Sequence, residues 1–108
     1  MTVKQLSEKA DLKVFLLSDE EREIDGVYCG DLLSWVMGRA KDSNIWITIM
    51  SNVNVIAVAS LTDVSCVILA EGVIPDNDII EAAKQKGINI LGSEKDTYSL
   101  CVALGKLL

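Results

Sequence analysis

The side chains that catalysis usually recruits are scarce in this chain. It contains no His, which removes the common general base near neutral pH, every Ser–His or Cys–His nucleophile pair and the commonest metal ligand. Cys29, Cys66 and Cys101 are far apart in sequence. Zinc sites and redox dithiols want pairs two to four residues apart, so these cysteines read as small buried hydrophobes. Carboxylates remain. Glu20, Glu21, Glu23 and Asp25 form an acidic cluster that reads as solvated surface, and Asp31 and Glu71 could meet at one sheet edge, where each would raise the other's pKa. The triphosphate loop (Gly-x-x-x-x-Gly-Lys-Ser/Thr) and the dinucleotide fingerprint (Gly-x-Gly-x-x-Gly) are both missing from the sequence.

What polar chemistry there is clusters where apolar runs stop. Gly30-Asp31, Ser51-Asn52-Val53-Asn54 and Glu71-Gly72 each follow such a run. If the runs are strands followed by helices, these are strand ends, the places where open parallel sheets collect ligands. Helix amides and the Ser and Asn side chains could hold a phosphate or carboxylate there. The same residues are also the ordinary helix caps, and capping alone is the commoner use. Trp35 lies beside the apolar stripe of its segment. Packing at the core or its edge is the expectation; if it protrudes, it is a candidate interface anchor.

The elements that would position these groups follow from periodicity. Thr2-Val3-Lys4-Gln5 is a capping box, and Val3, Leu6 and Ala10 line one face of a short helix. Lys13 to Leu17 and Ile24 to Cys29 read as strands around an acidic turn. Asp31 is placed to cap a helix running through Ala40, with Leu32, Leu33, Val36, Met37 and Ala40 at helical spacing. Asn44 to Met50 reads as a strand and Val53 to Leu61 as an apolar helix capped at Ser51-Asn52. Ser65 to Ala70 is a run suited to a strand covered on both faces. Pro75-Asp76 opens a helix closed by Gly87. Ile88 to Leu91 is a strand, and Asp96 caps a last helix carrying Leu100, Leu104 and Leu107 or Leu108. This alternation predicts an α/β fold of three layers, with a mostly parallel sheet flanked by helices, in one domain over 1–108.

Composition agrees and narrows the partners. Of 108 residues, 50% are hydrophobic and 5% aromatic, so the chain has the means to build an ordinary core. Residues 1–54 carry six basic and nine acidic side chains and residues 55–108 carry four and seven, so each half stands at −3 and together they make the net −6. No basic face stands out for nucleic acid or anionic lipid, and neither is expected as a partner. Ser43 to Thr62 has no charged residue, close to the length that spans a bilayer, but Ser51, Asn52 and Asn54 at its centre would lack hydrogen-bond partners in lipid. With Glu8 and Asp11 in place of the basic-then-apolar start of a signal peptide, a cytoplasmic location is expected.

Taken together, Asp31-Leu32-Leu33-Ser34, Trp46-Ile47-Thr48, Asn54 with Val55-Ile56-Ala57-Val58-Ala59, then Gly72, Pro75 and Gly87-Ile88-Asn89-Ile90-Leu91 resemble the stand-alone DRTGG-domain proteins. The resemblance runs from Thr2 to the last helix. It implies a fold like the N-terminal domain of HPr kinase/phosphorylase and one domain of murein ligases. Related domains are appended to phosphotransacetylases and to CBS-containing pyrophosphatases, in regulatory or assembly roles, and stand-alone members occur beside iron-hydrogenase subunits. What it implies here is a non-catalytic regulatory or assembly domain, without a cofactor or metal, forming a homodimer and meeting a partner enzyme subunit. The alternative is a sensor for a nucleotide or other anion at the strand ends, using Asp31, Ser51, Asn52, Asn54, Glu71 and Gly72. The family's Asp-Arg pair falls on Asn52-Val53 and its Thr-Gly-Gly on Ala70-Glu71-Gly72, so only the last Gly remains. Losing the Arg weakens an anion site and favours a partner-binding role.

Overall fold

Two strands, β3 (Ile45–Thr48) and β4 (Cys66–Leu69), are buried along their whole length. They alternate between two cores as a period of two requires. Trp46, Val67 and Leu69 point to one face of the sheet, and Ile45, Ile47, Cys66 and Ile68 to the other. The computed structural model describes all residues, 1–108. Around these strands lie β2 (Val27–Cys29), β5 (Ile90–Gly92) and β1 (Lys13–Leu16), in the order β1-β5-β4-β3-β2. β2 to β5 are parallel, while β1 runs antiparallel to β5, pairing Lys13 with Gly92 and Val14 with Leu91. The mixed α/β architecture is as expected, with one antiparallel edge.

Helices α2 (Leu33–Arg39), α3 (Val53–Thr62) and α4 (Asn77–Lys86) cover the Trp46 face through Val36, Val55, Ile56, Ala59, Ile79 and Ala83. Helices α1 (Val3–Lys9) and α5 (Thr97–Leu107) cover the other face through Val3, Leu6, Leu100 and Leu104. The β-branched α3 is helical because it is buried along Val55, Ile56, Val58 and Ala59, so packing outweighs its modest intrinsic propensity. The Thr2–Gln5 capping box and the caps Asn52, Asp76 and Asp96 form as the sequence predicts, and Gly87 closes α4 at φ 70°. Leu107 and Leu108 remain exposed at the end of α5.

Several boundaries differ from expectation, three of them with a visible cause. β2 begins at Val27, not Ile24, because Gly26 turns at φ 85° and the preceding residues pair elsewhere. Glu23 bridges Thr2, and the Ile24 amide donates to the Met1 carbonyl. α2 starts at Leu33, with Leu32 at the cap position and no side-chain cap. β5 starts at Ile90 and extends to Gly92, because Asn89 is committed to a side-chain network.

That network closes the N-terminal ends of the parallel strands. Asn89 is buried, accepts from the Asp19 amide at 2.8 Å and donates to the carbonyls of Asp19 and Ser65 at 2.8 and 2.9 Å. The Ser65 hydroxyl donates to the carbonyls of Glu23 and Ser43. Asn44 accepts from the Lys41 amide and donates to the Asp25 carbonyl. No buried side-chain polar atom is left without a partner.

Candidate ligand cleft at the strand ends

The opposite, C-terminal ends of the strands carry the residues singled out for function. Asp31 follows β2 but does not cap α2. One of its oxygens, Oδ1, accepts from the Thr48 hydroxyl at 2.8 Å and the Ile49 amide at 3.0 Å, tying the end of β2 to the end of β3. Both bonds are charge-assisted, and they commit that oxygen to the neighbouring strand end. Trp46 reinforces the same join, its indole N–H donating to the Gly30 carbonyl at 2.9 Å. Asp31 and Glu71 follow strands separated by β3, roughly 9–10 Å apart at the usual strand spacing. They do not form a carboxylate pair.

After β3, Asn52 Oδ1 accepts from the Asn54 amide at 2.9 Å, which is a cap, while Ser51 and Asn54 lie in the loop and first turn of α3. After β4, Glu71 and Gly72 both take left-handed backbone, at φ 61° and 71°. A Cβ at Gly72 would come within 2.7 Å of Glu94 Oε2, which the flexible Glu94 side chain could yield, so it is the left-handed backbone that favours glycine there.

The two loops after β4 and β5 are zipped together. The amides of Glu71 and Gly72 donate to the carbonyls of Lys95 and Ser93, and the Ser93 amide donates to Leu69. The Ser93 hydroxyl in turn accepts from the Lys95 amide at 3.1 Å. Beside this zipper opens a cleft of about 210 Å³, walled by Gly72, Val73 and Ile74 after β4, by Gly92 to Lys95 after β5, and by Asp11 to Lys13 and Phe15 around β1. Its position has a topological cause. After β4 the chain turns into α4 over one face, and after β5 it turns into α5 over the other, so the loops diverge between adjacent parallel strands. That divergence is where open α/β sheets form their ligand crevices.

Of the candidate residues, Gly72 alone lines this cleft; Asp31, Ser51, Asn52 and Asn54 stand along the same sheet end but outside it. Lys13, Phe15, Ser93, Glu94 and Lys95 were missed. The available signal was a glycine at or just beyond the end of each of two consecutive buried strands. Gly92 matters because the Phe15 ring edge packs directly on its Cα, in the space a Cβ would take. Lys13 holds its ammonium 5.4 Å from the Phe15 ring centroid.

Trp35 corrects the expectation of core packing. It is 53% exposed, with the Arg39 guanidinium stacked 3.9 Å from its ring centroid, and Leu32 beside it on the same helical stripe is also exposed. Val36 makes the core contact instead. The cysteines divide as well. Cys66 is buried as expected, and burial pushes its thiol up to about 12. Cys29 is exposed on the edge strand and Cys101 is partly buried on α5. Desolvation, then the neighbouring Cys101 and the Asp31 charge, push the Cys29 thiol up to about 11. Such thiols stay protonated at neutral pH and are poor nucleophiles.

A doubly covered, largely parallel sheet with a cleft where the helices change face makes this a small three-layer α/β domain. The DRTGG domain family model matches residues 5–107, and the chain belongs to the DRTGG-domain family. No curated protein sequence matches it significantly. Among solved structures, it is similar to the CBS and DRTGG domains of the regulatory region of Clostridium perfringens pyrophosphatase, complexed with the activator diadenosine tetraphosphate. The TM-score is 0.79 at 17% identity, over 95% of this chain and 45% of that one. This chain therefore spans less than half of that regulatory region. No helix is long and apolar enough to cross a membrane.

Proposed function

We propose that this DRTGG domain is a non-catalytic regulatory module that responds to a small ligand held in the cleft between the ends of β4 and β5. The observation carrying the proposal is the cleft itself, at the point where successive helices leave for opposite faces, with its loops held by backbone hydrogen bonds. The regulatory reading takes support from the pyrophosphatase likeness. The non-catalytic reading rests on the side chains. There is no His, two thiols are held protonated, and Asp31 is occupied by Thr48 and Ile49.

The ligand must be small. Pockets for drug-sized molecules run to about 300–1,000 Å³, and the cleft's volume is about 210 Å³. A molecule as large as diadenosine tetraphosphate does not fit within it. Thermal unfolding of the chain with a panel of nucleotides, acyl phosphates, carboxylates and amino acids tests the proposal. A true ligand at a hundredfold excess over its Kd stabilises by about 2.7 kcal/mol, roughly ten degrees or more for a domain of this size. No shift across the panel removes the sensor role.

A second reading has its own observation. Leu32 and Trp35 expose a large apolar surface on α2, which suits assembly, in the first instance as a homodimer. Sedimentation should then show a dimer that Trp35→Ala weakens; a strict monomer at high concentration ends this reading. The family resemblance adds an iron-hydrogenase subunit as the proposed partner enzyme, tested by co-elution of the purified proteins.

A further inference from the structure

The charges around the cleft narrow what it can hold. Its rim carries Lys13 and Lys95 together with Asp11 and Glu94. None of the four is ion-paired: the chain's ion pairs are Met1 with Glu23, Arg22 with Asp63, and Lys84 with Glu81. Two cations and two anions thus surround one small opening without being committed to each other. A bare phosphate or polyanion would meet Asp11 and Glu94 along with the lysines, on a body of net −6. A molecule carrying both signs instead finds a partner for each.

Size and lining add two constraints. A volume of about 210 Å³ is about seven times the share of one water in the liquid, which admits on the order of ten heavy atoms. Leu12, Phe15, Val73 and Ile74 give the cleft an apolar side against which a hydrocarbon group can be desolvated. The zipper between the two loops fixes this geometry before any ligand arrives, so little ordering cost is left for binding.

We propose that the cleft binds a free α-amino acid with an apolar side chain. Lys13 and Lys95 take its carboxylate, Asp11 and Glu94 take its ammonium group, and its side chain lies against Phe15 and Val73. This assignment rests on the reading of the domain as a ligand-responsive module and names the ligand class for the same site.

Titration calorimetry of the full chain tests it with leucine, valine and phenylalanine. Each is compared with its deaminated carboxylic acid and its decarboxylated amine, with inorganic phosphate and AMP as the anionic arm. The expected result is binding of at least one amino acid, with both of its one-charge analogues weaker by tenfold or more. Lys95→Met and Glu94→Gln should each weaken that binding at least tenfold, and Lys41→Met, outside the cleft, should not. If the carboxylic acid binds as tightly as the amino acid, or only phosphate or AMP binds, the amino-acid assignment is overturned and the ligand-responsive reading stands. If nothing in the panel binds, both fall.

Discussion

The two ends of the sheet are built on opposite plans. At the N-terminal end, Asn44, Ser65 and Asn89 are buried and spend their side chains holding the loops at 19–25 and 41–43. At the C-terminal end, Asp11, Lys13, Glu94 and Lys95 are exposed around an open cleft and hold one another in no ion pair. Polar groups sealed by the chain itself stabilise and specify; polar groups left over at a concavity are free to meet something else. The difference teaches where substitution should damage stability and where it should damage only binding.

Asn89→Ala should be the most damaging change, because it removes three hydrogen bonds at the closed end, to the Asp19 amide and to the Asp19 and Ser65 carbonyls, and leaves the Asp19 carbonyl only the Arg22 amide. A loss of about 3 kcal/mol is expected, read as a lower urea midpoint. A loss under 0.5 kcal/mol would mean that the closed end is not the better-held one. Gly92→Ala should follow, at about 1–3 kcal/mol, since the new methyl group must displace the Phe15 ring. The same substitution narrows the cleft and should abolish any ligand-induced shift.

Alkaline pH probes the closed end through Cys66, the first residue of β4. Its folded thiol sits at about 12 against an ordinary 9.0, raised by burial. From pH 9 upward the unfolded chain loses this proton before the folded chain does, so stability falls with rising pH through that window. The slope approaches about 1.4 kcal/mol per pH unit from this group. Cys66→Ala, measured relative to its own stability at pH 8, should flatten the decline. An unchanged slope would mean the thiol is not shielded. The smallest stability effect belongs to Lys95→Met at the open end, within about 0.5 kcal/mol of the parent, together with ligand binding weakened at least tenfold. A large destabilisation there would erase the contrast between the ends.

Much of this organisation is legible in the residues. Capping side chains announce α1, α4 and α5 because a cap acts within three residues of its helix. Buried parallel strands announce themselves as continuous apolar runs. Asp31 precedes a helix, so its position predicts a cap; its true partners, Thr48 and Ile49, are 17 and 18 positions away. The cleft was illegible for the same reason. Phe15 and Gly92 meet because β1 pairs with β5, and hydrophobic periodicity carries no record of which strands become neighbours. The closed end does leave a local signal. Asn44, Ser65 and Asn89 each sit just before or at the start of an apolar run, and a polar residue at that repeated place marks where the sheet end is tied down.

The antiparallel edge bears on the order of assembly. β2 to β5 come together in steps of about twenty residues, each closing a short loop around one helix. β1 must find β5 across most of the chain, with Lys13 opposite Gly92. Closing that loop costs more chain entropy and cannot happen until β5 has been made. The cleft is thus walled across the pairing with the largest loop to close, and it takes shape only when β1 and β5 are both in place.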